Sequence, residues 1–383
     1  MLPIPGGKKY QTMKSLYFIL FFAMVSLGAE SCREDDDTTC TTCPNNDIIT
    51  GDYNPQPFAI TVPSWLPPVP VPPDNLLTTD GVALGRMLFY DPILSSDSTL
   101  SCASCHKQER AFTDGLAVST GVLGISGKRS AMSLANLAYN TRGFFWDGRT
   151  GSLETQALIP VEDHIEMNEN WDNVVQKFRN HATYPALFRK AFGIELKSQI
   201  TKELAAKALA QFQRTLISGN SRYDQIIWAQ QGWLTDQEQR GLELFFIEFA
   251  GTVQHPGCSH CHFNPLFTDN NFRQNGLEDV PDLLSFPDPG RGAISGIAND
   301  NGKFRVPTLR NIELTAPYMH DGRFATLEQV LDHYATGGHG VSNEDPNILP
   351  FVLDAQQKED LIAFLKTLTD QTFLTNPNFS NPF

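Results

Sequence analysis

The chain has 383 residues, of which 41% are hydrophobic and 19% charged, and its formal net charge is −14. This length suits two domains of about 100–150 residues with some chain left over. The negative charge argues against nucleic acid as a partner, because phosphate contacts need clustered lysine and arginine. The same charge would suit a basic electron-transfer protein, which complementary charge would attract.

Residues 1–32 have the pattern of a secretory signal. Lys14 precedes an apolar run over 16–27 that is too short to span a membrane stably, and small residues follow. Because Cys32 stands at the end of this segment, we predict a lipoprotein signal with Cys32 as the lipidated first residue of an exported, periplasmic protein. Ordinary cleavage is the alternative, and contact with a membrane is expected only through this anchor.

Residues 33–75 are first polar and then rich in proline, which favours an extended and irregular chain. We predict a flexible linker here. Cys40 and Cys43 within it are followed by proline and not by histidine. We therefore expect them either to form a local disulfide, which an oxidising compartment permits, or to serve simply as tether residues.

The pattern Cys-x-x-Cys-His occurs twice, at Cys102–His106 and at Cys258–His262. Thiols at this spacing can each add to one vinyl group of a porphyrin, and the adjoining histidine can bind its iron. A lone Cys-x-x-Cys pair more often binds zinc or forms a redox pair. The attached histidine and the second copy favour covalent haem instead. We therefore predict two c-type haems, attached through Cys102, Cys105, Cys258 and Cys261 and bound axially by His106 and His262.

The sequence around the two motifs is duplicated. Residues 82–89 have apolar positions at helical spacing before the first motif, and a capping box at 235–238 begins a helix before the second. Phe-Thr-Asp triplets follow the motifs at 112–114 and 267–269. This repetition indicates two cytochrome c-like domains, which we place at 76–228 and 229–375.

Two further helices are predicted, over 201–218 and after Asp354, and no strand-rich stretch competes with them. The fold class predicted for the chain is therefore all-α.

Three other motifs accompany the paired haem sites, at 145–149, 307–311 and 314–322. In this order and spacing they resemble the bacterial dihaem cytochrome c peroxidase and MauG family, over roughly 80–368. The resemblance implies that the first haem meets hydrogen peroxide, while the second relays electrons from a small donor such as a cytochrome c or a cupredoxin. It also allows a MauG-like oxidase that modifies tryptophan or other side chains of a partner protein. A dihaem cytochrome that only transfers electrons is a third interpretation.

The same resemblance implies roles for single residues. Trp146 matches the tryptophan between the two haems, Glu166 matches the acid near the first iron, and Gln156 and Pro160 match other positions of that pocket. A carboxyl group in an apolar pocket can have its pKa raised toward neutrality and can move a proton between the two oxygens of peroxide. His164 is the rival for this role.

The first departure from the family concerns the first iron. In many dihaem peroxidases, a histidine on a loop after the first motif caps this iron in the resting state. Here no histidine lies between His106 and His164, and the loop 117–129 offers no strong iron ligand. We therefore predict a first haem that is five-coordinate or water-bound and needs no reductive activation.

The second departure concerns the far ligand of the second haem, which is methionine in the peroxidases and tyrosine in MauG. The matching position is Tyr334. A capping box at 326–329 begins a helix on which Leu327, Val330, Leu331 and Tyr334 share one face. Tyr334 should therefore point inward, and His333 should be more exposed.

Met319 is the main alternative ligand, followed by histidines such as His320 and His339. The choice between tyrosine and methionine matters because a phenolate would lower the reduction potential of the second haem, whereas a thioether would raise it. The resemblance also implies a calcium ion, held partly by backbone oxygens of Thr315 and Pro317. At the position of a family asparagine in that site, this chain has Ser130.

Overall fold

The regular structure is helical apart from one two-stranded sheet, within the residues that the computed structural model describes, 47–247 and 255–383. The predicted signal peptide, its Cys32 and the pair Cys40 and Cys43 lie outside these residues. Within the described ranges, the structure contains no helix with the length and apolar character needed to cross a bilayer.

Twelve α-helices and two short strands can be followed along the described chain, joined by turns and short 3₁₀ segments. The helices are α1 Thr79–Tyr90, α2 Cys102–Cys105, α3 Leu153–Glu162, α4 Trp171–Asn180, α5 Tyr184–Phe192, α6 Lys202–Arg214, α7 Arg222–Ile227, α8 Asp236–Phe246, α9 Gly292–Ser295, α10 Leu327–Thr336, α11 Ala355–Lys366 and α12 Gln371–Leu374. The antiparallel strands are β1 Phe272–Arg273 and β2 Phe304–Arg305.

The helix starts read from capping boxes are confirmed. The side chains of Thr235, Thr326 and Asp354 each accept a hydrogen bond from the backbone N–H three residues further on, at the first turns of α8, α10 and α11. The helix predicted over 201–218 ends earlier, at Arg214. There the Thr215 hydroxyl donates to the carbonyl of Phe212, and the chain leaves the helix.

The duplication is visible in the packing. Each half pairs the helix before its motif with a later helix, α1 with α6 and α8 with α11. A Cβ atom at Gly85 would lie 1.9 Å from the carbonyl oxygen of Ala208, and one at Gly241 would lie 1.9 Å from that of Asp360. Both crossings therefore need glycine, which allows the backbones to touch.

The described residues, 47–247 and 255–383, belong to one compact unit with two hydrophobic cores. The first core is built mainly around α1, α5 and α6, and the second around α8 and α11. The domain boundary at 228/229 stays a prediction.

The part of the predicted linker that the structure describes, 47–75, lies against the folded body. The N–H of Ile49 donates to the carbonyl of Glu195 at 2.8 Å, and Trp65 Nε1 donates to the carbonyl of Gly219 at 3.0 Å. Leu66 is buried beside it. This segment is extended as predicted, but these contacts hold it and it is not a free spacer.

The end of the chain returns to the first core, although the sequence assigned 229–375 to the second half and gave the tail no role. Phe373 and Phe379 belong to the first core, and the ring centroids of Phe373 and Phe112 are 5.5 Å apart. The Gln108 side chain donates to the carbonyl of Asn376 at 2.9 Å. Two isolated phenylalanines among polar residues carry no periodic pattern, so the sequence does not reveal this return.

A fully buried ion pair holds α7 against the second half. Arg310 donates to both carboxylate oxygens of Asp224 at 2.7 and 2.8 Å, and it also donates to the carbonyl of Pro265. This bidentate arrangement satisfies two charges that water cannot reach.

We expect Asp224→Asn to lower the free energy of unfolding by about 3–5 kcal/mol, because it leaves the buried Arg310 without its counter-charge. Urea unfolding of the full chain measures this change. The control is Lys358→Met, which removes an exposed pair with Asp332 and should cost about 1 kcal/mol or less. Equal losses in the two variants would contradict the expectation.

Candidate functional site

Each Cys-x-x-Cys-His motif lines its own cavity. Cys102, Cys105 and His106 line the first cavity, and Cys258, Cys261 and His262 line the second. The two cysteine pairs are therefore not brought together. Within residues 47–247 and 255–383, no group of three or more histidine, cysteine or acidic side chains could hold a metal ion.

The two histidines are oriented in the same way. His106 Nδ1 lies 2.8 Å from the carbonyl oxygen of Phe112, and His262 Nδ1 lies 3.1 Å from that of Phe267. Both phenylalanines are fully buried and have positive φ, +62° and +54°, which directs their carbonyls at the imidazoles. Such a bond fixes the Nδ1–H tautomer and leaves Nε2 as the available iron ligand. The repeated Phe-Thr-Asp triplets, noticed in the sequence without a role, thus orient the histidines.

The donor set in both cavities fits a covalently attached haem. Burial lowers the pKa of His106 and of His262, so both imidazoles are neutral and able to bind iron. Burial also raises the pKa of the Cys102 and Cys258 thiols to about 12. In the wall between the cavities, the Nε–H of Arg305 is buried without a hydrogen-bond partner, which suits a ligand that carries carboxylates.

Glu166, Gln156 and Pro160 all line the first cavity, together with its cysteines and histidine. Glu166 lies in the turn after α3, where its N–H donates to the carbonyl of Asp163 at 3.0 Å. Burial raises the pKa of Glu166 to about 7, with a further upward contribution from the charge of Asp163. A carboxyl group with such a pKa can both accept and release a proton near neutral pH.

His164 does not share this position. Its side chain is 74% exposed, and it is not among the residues that line the first cavity. Of the two rivals for proton transfer, only Glu166 faces the site.

The loop 117–129 is fixed against the turn that carries Glu166. The N–H of Val122 donates to the carbonyl of Glu166 at 2.9 Å. A Cβ atom at Gly121 would lie 2.2 Å from the carbonyl oxygen of Ile165, so this contact requires glycine. Among the described residues that line the first cavity, His106 and His320 are the only histidines. The five-coordinate first haem stays a prediction.

Trp146 lies in the wall that both cavities share, with Ser130, Met132, Arg305 and His320. Its Nε1 donates to the carbonyl of Ser130 at 2.9 Å, and its own carbonyl accepts from the N–H of Arg305 at 2.8 Å. This position is compatible with a relay between two haems. Met132 also lines both cavities at this wall.

Both candidate far ligands of the second haem line the second cavity. The Asn275 amide nitrogen lies 3.4 Å from Tyr334 Oη and 3.4 Å from Met319 Sδ, so one side chain contacts both. Burial raises the pKa of Tyr334 to about 12. No sequence pattern pointed to Asn275, because its position depends on the packing of α10.

The histidines near this site are placed differently. His333 and Tyr334 are both partly buried, but only Tyr334 lines the second cavity, while His333 Nε2 bonds to the carbonyl of Asn275 at 3.0 Å. His339 is exposed and does not line the second cavity. The ring of His320 stacks on Phe304 at 3.6 Å between centroids.

Thr315 and Pro317, the predicted calcium positions, also line the second cavity. Ser130, which stands in place of the family asparagine, donates from its hydroxyl to the carbonyl of Met319 at 3.0 Å.

Comparison with known proteins gives consistent matches. The model of a family described as di-haem cytochrome c peroxidase matches residues 79–232. The methylamine utilization protein MauG of Methylorubrum extorquens is 37% identical over 332 residues, which cover 86% of this chain and 90% of that protein. A cytochrome-c peroxidase of Denitromonas iodatirespirans is 34% identical over 331 residues, 79% of this chain and 85% of the relative.

Among solved structures, a MauG-like protein associated with microbial copper homeostasis superposes with a TM-score of 0.79 and 38% identity. The match covers 85% of this chain and 99% of that protein. The fold is therefore of the dihaem peroxidase and MauG type, and mostly helical as predicted.

Proposed function

Because this chain belongs to the di-haem cytochrome c peroxidase and MauG family, we propose that it carries two covalently bound c-type haems and reduces hydrogen peroxide to water. The electrons come from a small redox protein, a cytochrome c or a cupredoxin. The observation that carries the proposal is the pair of cavities with one Cys-x-x-Cys-His motif each and a common wall at Trp146. When bound, haem supplies an iron that can take up peroxide and exchange single electrons.

The residues of the first cavity supply the proton chemistry. Glu166, as a carboxylate, accepts the proton from one oxygen of peroxide and returns it to the other oxygen, which leaves as water. Gln156 lines the same cavity and can donate a hydrogen bond from its amide to the reacting oxygens. Two electrons and two further protons complete the reduction to two water molecules. Trp146 lies on the short path by which these electrons reach the first cavity.

We expect the purified protein to contain two haems per chain and to oxidise a reduced small cytochrome c when peroxide is added. Absorbance of the donor measures turnover, and the haem content of the denatured chain measures attachment. The variant Cys102→Ser, which retains one thiol at the first site, is the control for attachment. Two haems with no peroxide-dependent change in either haem spectrum would contradict the proposal and leave an electron-transfer cytochrome.

A second candidate function is favoured by Tyr334, because the family's MauG member has tyrosine at this position and is among the relatives most similar to this chain. In this alternative, tryptophan or another side chain of a partner protein gives up the electrons. Slow turnover with reduced cytochrome, and a long-lived oxidised state after one equivalent of peroxide, would distinguish it from the peroxidase.

Location and a further metal complete the proposal. The protein is exported to the periplasm, with Cys32 as a lipid anchor. A calcium ion is bound through backbone oxygens of Thr315 and Pro317. Support for the calcium site is the position of both residues beside the second cavity.

A further inference from the structure

Arg305 is a buried cation without a counter-ion. Its side chain donates to Asn270 Oδ1 at 3.0 Å and to Met132 Sδ at 3.5 Å, and its Nε–H has no partner. An amide oxygen and a thioether are both neutral. Burial lowers the pKa of Arg305 to about 10, which is the expected effect of a charge that no anion compensates.

The other buried arginines of the described chain are compensated. Arg310 pairs with Asp224 and Arg214 pairs with Glu154, each through two hydrogen bonds to one carboxylate. A fork of N–H donors matches the two oxygens of a carboxylate. Arg305 has the same donors and is buried to the same degree, so the partner that it lacks is a carboxylate.

The position of Arg305 indicates where this carboxylate would come from. Arg305 stands on β2, which pairs with β1, and its side chain lines the wall shared by the two cavities. Its neighbours Asn270 and Val306 line the second cavity and not the first. We therefore assign the unpaired Nε–H of Arg305 to the second cavity, which His262 also lines.

We propose that Arg305 binds a propionate carboxylate of the haem in the second cavity, with its unpaired Nε–H among the donors. This inference rests on the proposed function only in that it requires the haems to be present. A cation held against the haem edge disfavours the more positive, oxidised state of the iron. Arg305 thus raises the reduction potential of the second haem and opposes the effect of a phenolate ligand.

We expect Arg305→Met to shift the ratio of oxidised to reduced second haem at least tenfold toward the oxidised form at a fixed solution potential. This shift corresponds to 59 mV for one electron. Arg305→Lys, which keeps the charge, should shift the ratio much less. Optical titration of the holoprotein against solution potential measures each haem separately, because the two irons differ in axial ligation.

The matched control is Arg291→Met. Arg291 also lies near Trp146 and donates to the carbonyls of Asp147 and Gly148, but it lines neither cavity. Its removal should leave both potentials unchanged. If Arg305→Met does not accumulate as folded protein, Arg305→Gln provides the same loss of charge with an amide donor retained.

The possible outcomes distinguish failure of the proposed function from failure of the role of Arg305. A wild-type chain without haem would overturn the proposed function. The wild type could contain two haems while Arg305→Met and Arg305→Gln leave the reduction potential of the second haem unchanged. This result would overturn the role of Arg305 but not the proposed function. A change in reduction potential confined to the first haem would overturn the assignment of Arg305 to the haem of the second cavity.

Discussion

Replacing Glu166 with glutamine is expected to lower the rate of the reaction with peroxide by about 10²–10⁴-fold, the range for loss of a general acid–base. Glutamine has a similar size and lines the cavity in the same way, but it cannot accept a proton. Stopped-flow mixing of the oxidised holoprotein with peroxide measures this rate directly, without a donor protein. The control is Glu162→Gln, which changes an exposed carboxylate at the end of α3.

The same group predicts the pH dependence. The pKa of Glu166 is about 7, and the ionised form must accept the first proton. The wild-type rate should therefore rise between about pH 6 and pH 8, and Glu166→Gln should lose this rise. An unchanged rate and an unchanged pH profile in the variant would show that Glu166 does not transfer the proton.

Glu166→Gln should lower the rate but raise the stability of the folded protein. Folding raises this pKa from 4.5 to about 7, so the ionised carboxylate destabilises the folded state as the pH rises above the unfolded value. At pH 8, Glu166→Gln should be more stable than wild type, by at most about 3 kcal/mol. A variant that lost activity and stability together would have lost its fold, not its proton acceptor.

Replacing Tyr334 with methionine is expected to raise the reduction potential of the second haem by roughly a few hundred millivolts. Axial ligands set potentials over a range of about 0.8 V, and exchange of an anionic phenolate for a neutral thioether removes the preference for the oxidised iron. Optical titration against solution potential measures the change. The spin-state spectrum of the oxidised protein, with and without peroxide, tests the open first site in the same samples.

The matched control for this substitution is Tyr318→Phe. Tyr318 also lines the second cavity, but its hydroxyl donates to the carbonyl of Ile312 at 3.1 Å. If Tyr334→Met leaves both potential and spectrum unchanged, Tyr334 is not the ligand. Loss of the native second-haem spectrum in Met319→Leu would then assign the iron to Met319.

The sequence alone was sufficient to predict features that depend only on residues close together in the chain. The capping boxes at Thr326 and Asp354 determine their helix starts through hydrogen bonds within four residues, so both starts were predictable. The two Cys-x-x-Cys-His motifs likewise have their chemistry within five residues. The histidine of each motif, however, is oriented by a backbone carbonyl, that of Phe112 or of Phe267, and sequence patterns do not report carbonyl directions.

The sequence alone was insufficient to predict features of the site that depend on tertiary contacts. Glu166 and His164 lie in one turn, and only the tertiary structure shows that Glu166 lines the cavity while His164 does not. Arg305 lies two residues before the motif at 307–311, and no sequence pattern singled it out. Its missing counter-ion becomes visible only when its neighbours, Asn270 and Met132, are known from the packing.

The return of the C-terminal tail to the first core has a consequence for biosynthesis. Gln108 and Asn376 are separated by 268 residues but hydrogen-bonded. A ribosome makes Cys102 and Cys105 long before it makes Phe373 and Phe379, which complete the core beside them. The first core therefore cannot be complete until Phe373 and Phe379 have been made, so its folding has to wait for residues that lie far from α1 and α6 in sequence.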